Sequence, residues 1–418
     1  MKTLLKRIAA VVSLASALNA PCFSQTALTW QQVRDRFEAS NPTLRAAQVA
    51  IDESHAQEIT AFLRPNPNLS VSLDQVNPFT TDPLRPLTFA LPLGIVTYLH
   101  ERDHKRELRL ESAKEGTEVT RSQSTDTARI LIFNLRTAFI QMLQQKAVFA
   151  LAAENLTYYD HLLDINRERY NAGAIAQVDL DRLELQRVTY ESDLQTADVN
   201  LRTAKIQLLA LLNDRTPVDQ FDVTGSFDFS TQLPAPDEVR NAAIDTRPDL
   251  RAALQSVDKA KTDHRLAIAN GSTDPTFSVD FGRNPPIPVY FGVGVSIPLR
   301  IFDKNQGEKL RTQLDIDRSA RLADATRAQV LNDVDSAYAV LKSTIILLKP
   351  YKERYLPQAS RVRETISFSY QHGAASLLDF LNAQAEYRSV QLNYLDLIGS
   401  YMQAASQLNM AVGREVIP

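Results

Sequence analysis

A chain of 418 residues with only 12 glycines has room for two or three ordinary domains. It is glycine-poor for an α/β enzyme of this size and suits long uninterrupted helices. A formal charge of -3, with no basic block or acidic tail, argues against nucleic acid as a partner. No P-loop is present, so nucleotide hydrolysis is not expected.

The N-terminus reads as a secretory signal over residues 1–24. Lys2, Lys6 and Arg7 precede the apolar run Ile8–Leu18, which is too short to span a bilayer as a helix. Cys22 and Ser24 supply the small residues at −3 and −1 of a cut after Ser24. Asn19-Ala20-Pro21 is a poor lipobox, so a lipid anchor on Cys22 is not expected. Cys22 is the single cysteine, and cleavage removes it, leaving neither a disulfide nor a thiol nucleophile.

The remainder divides into a first repeat, 25–213, a linker, 214–233, and a second repeat, 234–418. Leu28–Phe37 is amphipathic, and Asn41-Pro42 opens a helix running to about Leu63, with Pro at a first-turn position. Its counterpart is Arg247-Pro248-Asp249-Leu250. Next comes strict alternation: Leu69, Val71 and Leu73 against Ser70, Ser72 and Asp74, matched by Phe277, Val279 and Phe281 against Ser278, Asp280 and Gly282. Pro-rich turns around Asp82 and Pro286 lead to two more alternating runs. One holds Leu87, Phe89, Leu91 and Leu93; the other runs from Val289 to Leu299. Apolar on one face and small or polar on the other fits a transmembrane β-barrel strand, and it also fits hairpins that cover a soluble core. Four strands cannot close a membrane barrel, and open edges are not tolerated in lipid, so membrane strands here require several chains.

Each hairpin is followed by a long helix, His104–Tyr170 and Gln306–Tyr370, of about 100 Å at 1.5 Å per residue. Pro350 and Pro357 are expected to kink the second. The chain then repeats itself. Tyr170, Gly173, Ala174 and Asp179 recur as Tyr370, Gly373, Ala374 and Asp379, each set opening a heptad helix. Leu180, Arg187, Leu194, Leu201 and Leu208 alternate with Leu183, Tyr190, Ala197, Ala204 and Leu211. The second copy places Phe380, Tyr387, Tyr394, Tyr401 and Leu408 against Ala383, Val390, Leu397, Ala404 and Ala411. Heptads held this long indicate coiled-coil packing.

Two local signals compete with a structural role. His100-Glu101-Arg102-Asp103-His104 matches H-E-x-x-H, in which two His one helical turn apart hold Zn²⁺ and Glu activates water. A secreted zinc hydrolase is thus one alternative, although His100 directly follows a strand-like run. A helical periplasmic scaffold that never enters the membrane is another. His372 reads as a turn histidine or a passing metal contact. Tyr387, Tyr394 and Tyr401 read as interhelical packing or a substrate ladder. Asp179 and Asp379 can cap their helices or face a pore.

The layout resembles the TolC-type family of outer-membrane efflux factors over essentially the whole mature chain. The resemblance rests on Leu28-Thr29-Trp30-Gln31-Gln32-Val33 leading to Asn41-Pro42, and on Ser296-Ile297-Pro298-Leu299 running into Phe302-Asp303. The two Tyr–Gly–Asp turns complete it. It implies a mainly α fold with membrane β: a homotrimer with a 12-stranded β-barrel in outer-membrane lipid, continued by a 12-helix α-barrel in the periplasm. It implies a passive duct with no cofactor, served by an inner-membrane pump and a periplasmic adaptor. Tyr170, Gly173, Ala174, Tyr370, Gly373 and Ala374 would form the adaptor-docking tip. Asp379 matches a pore-narrowing carboxylate, while Asn382 stands where some members have a second Asp. The compact length and bare C-terminus look like the heavy-metal, CzcC-like branch.

Overall fold

The computed structural model describes residues 27–79, 86–87, 90–284 and 286–417. The expected signal peptide, Asp82 and Phe89 lie outside the described residues. The first half runs α1 (Trp30–Ser40), α2 (Pro42–Phe62), β1 (Asn68–Asp74), β2 (Leu91–Leu99), α3 (Lys105–Asn171) and α4 (Gln177–Leu211). The second runs α5 (Pro236–Thr246), α6 (Pro248–Asn270), β3 (Thr276–Asn284), β4 (Ile287–Ser296), α7 (Gln306–Pro350), α8 (Leu356–Gln371) and α9 (Leu377–Val412).

The helix starts follow from side chains. Thr29 caps α1 in a reciprocal box: its hydroxyl accepts from the Gln32 N–H, and the Gln32 side chain accepts from the Thr29 N–H at 2.9 Å. Pro42 and Pro248 each stand first in their helix, where a missing N–H costs nothing. The hydroxyl just before each of these turns secures the end of the same repeat's heptad helix. Ser40 Oγ donates to the Leu212 carbonyl at 2.9 Å, and Thr246 Oγ1 donates to the Val412 carbonyl at 2.6 Å. The second junction adds Arg247, only 4% exposed, which donates to the Ala411 carbonyl and pairs with Asp249 and Asp333. Burial opposes ionisation of Asp249, but the Arg247 hydrogen bonds and charge outweigh it and hold the carboxyl below its ordinary range.

The second long helix is interrupted where the prolines stand. Tyr351–Tyr355 forms a single π turn between α7, which ends on Pro350, and α8, whose second residue is Pro357. Neither proline offers an N–H to the preceding turn. The heptad phase records the consequence. Leu341 and Leu348 are buried, but counting on by sevens reaches Tyr355 and Val362, which are exposed. The inward positions fall one residue later, at half-buried Leu356 and Arg363 and buried Tyr370. The π turn absorbs that extra residue.

The chain forms two compact units that cut across the repeats. One holds Ile132–Gln232 and Leu341–Ser406 with the chain up to Asn41; the other holds Pro42–Leu131, Leu233–Val340 and Gln407–Pro418. The first has an apolar core that includes Leu135, Phe139, Leu183, Leu208 and Leu348. Its N-terminal segment pairs with the linker through the Leu28–Val223 bridge. In the second unit, hydroxyls lace the helices together: Thr117 to Glu58, Ser122 to Gln255, Thr262 to Glu115 and Ser112 to Asp263. Small hydroxyl residues let helices approach closely and still satisfy their buried polar atoms.

The second unit also contains the sheet, ordered β1-β2-β3-β4 with every pair antiparallel. β1 and β4 are its two edges, without a further strand among the described residues. Its apolar face is the open one: Val71 is 78% exposed and Phe291 71%. The strands therefore do not cover a soluble core with their apolar side. One expectation is corrected here. Of the alternating run placed at Leu87–Leu93, the strand among the described residues begins at Leu91 and extends to Leu99. By register, Leu91 and Leu93 share the face of Ser72 and Asp74, while Pro92, Gly94 and Val96 share that of Val71. Gly94 keeps this apolar face closed because the Phe281 ring lies over it; an added Cβ would come within 2.6 Å of that ring.

Candidate functional site

The two glycine turns form the same backbone. Gly173 and Gly373 both have φ +74, a left-handed conformation that costs an L side chain about 1–2 kcal/mol. Gly173 N–H donates to the Tyr170 carbonyl and Ala174 N–H to Arg169; Gly373 and Ala374 repeat this with Tyr370 and Ser369. These paired bonds are a Schellman closure, which satisfies the last carbonyls of a helix.

Their side chains differ. Tyr370 is 6% exposed and stacks on Phe380 with ring centroids 4.8 Å apart, under the Arg169 guanidinium at 5.1 Å. Tyr170 is 36% exposed. Leu180, Leu183, Tyr370, Leu377 and Phe380 share one core cluster with Tyr159 and Tyr190, which brings the two turns side by side. Burial pushes the Tyr159 phenol up, and its hydroxyl donates to the Leu183 carbonyl at 3.0 Å.

Asp379 lies at the start of α9 and closes a capping box with Ser376. Its carboxylate accepts from the Ser376 hydroxyl at 2.6 Å and from the Ser376 N–H at 3.2 Å, while the Asp379 N–H donates back to Ser376 Oγ. The Ser376 hydroxyl and N–H hold this carboxyl below its ordinary value, so it is ionised at neutral pH. Asn382 is exposed on the same helix. At the first turn the cap position is Ala176, which makes no side-chain bond.

Above the turns, Arg388 bridges α9 to α4 through Asp193 at 2.8 Å and lies over the Tyr190 ring. Arg363 sits between the rings of Tyr158 and Tyr387, at 4.8 and 3.9 Å. Tyr401 is buried, accepts from the Ser230 N–H and meets Phe229 edge-on, so these members of the tyrosine stripe pack between segments. His372 is exposed and bonds the Phe368 carbonyl of its own turn.

The H-E-x-x-H residues do not share a helix face. Asp103 and His104 have φ of 55 and 56 in a turn, and α3 starts only at Lys105. The Glu101 carboxylate is forked by Arg109, and the His100 ring meets Phe277 edge-on. Among the described residues no group of three His, Cys, Asp or Glu side chains could hold a metal ion. The residue that organises this junction is Lys105, 3% exposed, whose ammonium binds Asp274 at 2.6 Å and the Ser272 carbonyl. At a helix start such a lysine reads in sequence as a solvated charge. Arg247 escaped notice in the same way, since its backbone partner lies far along the chain.

Comparison with known proteins agrees with this architecture. Residues 239–414 match the family model "Outer membrane efflux protein". The cobalt-zinc-cadmium resistance protein CzcC of Cupriavidus metallidurans is 24% identical over 396 residues, covering 93% of this chain and 90% of that protein. The outer membrane protein TolC of Escherichia coli is 22% identical over 399 residues, covering 87% and 79%. The solved structure of CusC superposes with a TM-score of 0.76 at 18% identity, covering 92% of each chain. None of the described helices is long and apolar enough to cross a membrane. In its sheet, helices and sequence alike, the chain is similar to the TolC-type outer-membrane efflux factors, CzcC among them, and those relatives are channel proteins.

Proposed function

We propose that the protein is the passive exit duct of a tripartite efflux system: a homotrimer whose copies share one 12-stranded barrel in outer-membrane lipid and a 12-helix α-barrel in the periplasm. One observation carries this reading. A four-stranded sheet exposes its apolar face and, among the described residues, leaves both edges unpaired, and lipid accepts a sheet only when closed. Three copies give twelve strands. An inner-membrane pump supplies energy, and a periplasmic adaptor docks on the turns at Tyr170, Gly173, Ala174, Tyr370, Gly373 and Ala374. Metal cations are the cargo class favoured by the likeness to a cobalt-zinc-cadmium resistance protein. Three ionised Asp379 carboxylates around one axis would concentrate cations in a low-dielectric throat, with Asn382 adding no second ring.

The first test is extraction. The mature protein should leave the membrane only in detergent, as a trimer; a soluble monomer on sedimentation overturns the reading. The second is current through planar bilayers at low ionic strength, where screening is weakest. Wild-type current should be cation-selective, and Asp379→Asn should reduce that selectivity while Asn382→Ala leaves it nearly unchanged. Coincident reversal potentials for wild type and Asp379→Asn would leave Asp379 a helix cap and move the constriction elsewhere.

A further inference from the structure

The sheet has a second face, and one strand breaks its pattern there. In the barrel proposed above, the side of Val71 and Phe291 meets lipid and the opposite side lines the duct, where polar or small residues are the rule. β1 obeys with Ser70, Ser72 and Asp74, and β3 with Ser278, Asp280 and Gly282. β2 does not. By register Leu93 stands between Ser72 and Gly282, Ile95 between Ser70 and Asp280, and Leu91 beside Asp74. Three aliphatic side chains therefore line the duct in a row of roughly 13 Å, at about 3.3 Å per residue. Aromatic and acidic groups stand next to this lane. The Tyr290 ring lies over Gly282, where an added Cβ would come within 3.1 Å of it, and the Asp280 carboxylate lies over Gly292. Tyr290 and Gly292 occupy successive positions of this face on β4, roughly 7 Å apart.

We infer that this wall is a binding site for an amphiphilic organic cation. Its alkyl chain lies along Leu91, Leu93 and Ile95, and its ammonium sits between the Tyr290 ring and the Asp280 carboxylate. The inference rests on the barrel reading above and adds a ligand site to it. An aromatic ring beside a carboxylate attracts a weakly hydrated cation, and aliphatic surface facing water is stabilised by alkyl carbon laid over it. Charge complementarity favours this class over an anionic amphiphile. Asp74 and Asp280 both stand on this face, whereas Arg283, the one Arg or Lys among the described strand residues, falls at the register shift between Gly282 and Asn284. The site lies at the hairpin-turn end of the strands, since Leu91 opens β2 opposite Asp74, the last residue of β1. A ligand arriving from the turn side reaches it without passing the helices. Once bound, it narrows the duct and sets positive charge in the path of other cations, so it acts as a blocker.

The test is current through the full-length protein in planar bilayers, with dodecyltrimethylammonium added on the hairpin-turn side at concentrations that leave protein-free bilayers intact. Wild-type current should fall reversibly. Tetramethylammonium lacks the chain and dodecyl sulfate reverses the charge, so each should need at least about tenfold more for the same block. Leu93→Ser combined with Ile95→Ser should keep the unblocked conductance and weaken the block about tenfold. Asp280→Asn, which preserves the side-chain shape, should weaken it about two- to fivefold. Absence of block, equal block by dodecyl sulfate, or block unchanged in both variants overturns the site and leaves the duct standing. A protein that passes no current overturns the duct and the site together.

Discussion

At the first glycine turn, α4 begins on Ala176 with no side chain on its free N–H groups, and Tyr170 reaches into solvent. At the second, Ser376 and Asp379 close a capping box, and Tyr370 is buried against Phe380 beneath Arg169. The backbone is nevertheless the same, down to φ +74 at each glycine. Glycine thus sets the reversal, while the flanking side chains set how firmly the next helix starts. The duplicated sequence kept the first property and let the second diverge. It is the capped turn that carries the ionised carboxylate proposed to face the pore.

The largest expected effect tests what the turns share. A Cβ added at Gly173 or Gly373 meets no atom within 4 Å, so the penalty of substitution is conformational. Gly173→Val and Gly373→Val should each cost at least about 1–2 kcal/mol, by equal amounts, in urea unfolding. A clearly larger loss at Gly373 would mean that the second turn is also held by its surroundings. If the turns dock the adaptor, both variants should also weaken adaptor crosslinking while the barrel still assembles.

A smaller effect tests what separates them. Ser376→Ala should cost about 1 kcal/mol, and hydrogen exchange should report the loss in the first turn of α9. Ala176→Ser places a hydroxyl three residues before Asp179 and should slow exchange at the start of α4. If neither variant changes exchange at its own helix start, the difference between the turns lies in the aromatic packing alone. The smallest effect is pH-dependent. The folded-state pKa of Asp379 is depressed, so its contribution is present above the unfolded carboxyl pKa of about 4 and is lost as pH falls through the folded value. Protection at the start of α9 should decline below about pH 4 in the wild type, and this decline should flatten in Ser376→Ala.

The turns and heptads were legible because they are patterns of phase: Gly at a reversal, and apolar residues at sevens. The exposed face of β1, β3 and β4 was legible for the same reason. The phase of β2 was not, because its apolar face passes through Pro92 and Gly94. Phe281, far along the chain, supplies the ring that closes over that glycine. Pro350 and Pro357 announced an interruption, but neither discloses a gain of one residue. That gain appears only where Tyr355 and Val362 face out and Leu356 and Arg363 turn in. The H-E-x-x-H spacing assumed a helix that the positive φ of Asp103 and His104 rules out at that point.

The hydroxyl bonds that secure the heptad helices also bear on the order in which the molecule can be completed. Ser40 meets the carbonyl of Leu212, so the first repeat has both ends of its closure once about half of the chain has been delivered. Thr246 must wait for Val412, and Arg247 for Ala411. During export the earlier half can therefore lock while the later half still lacks the residues that bind its end. A substitution at Ser40 should be felt early in biogenesis, and one at Thr246 only after nearly all of the chain has crossed.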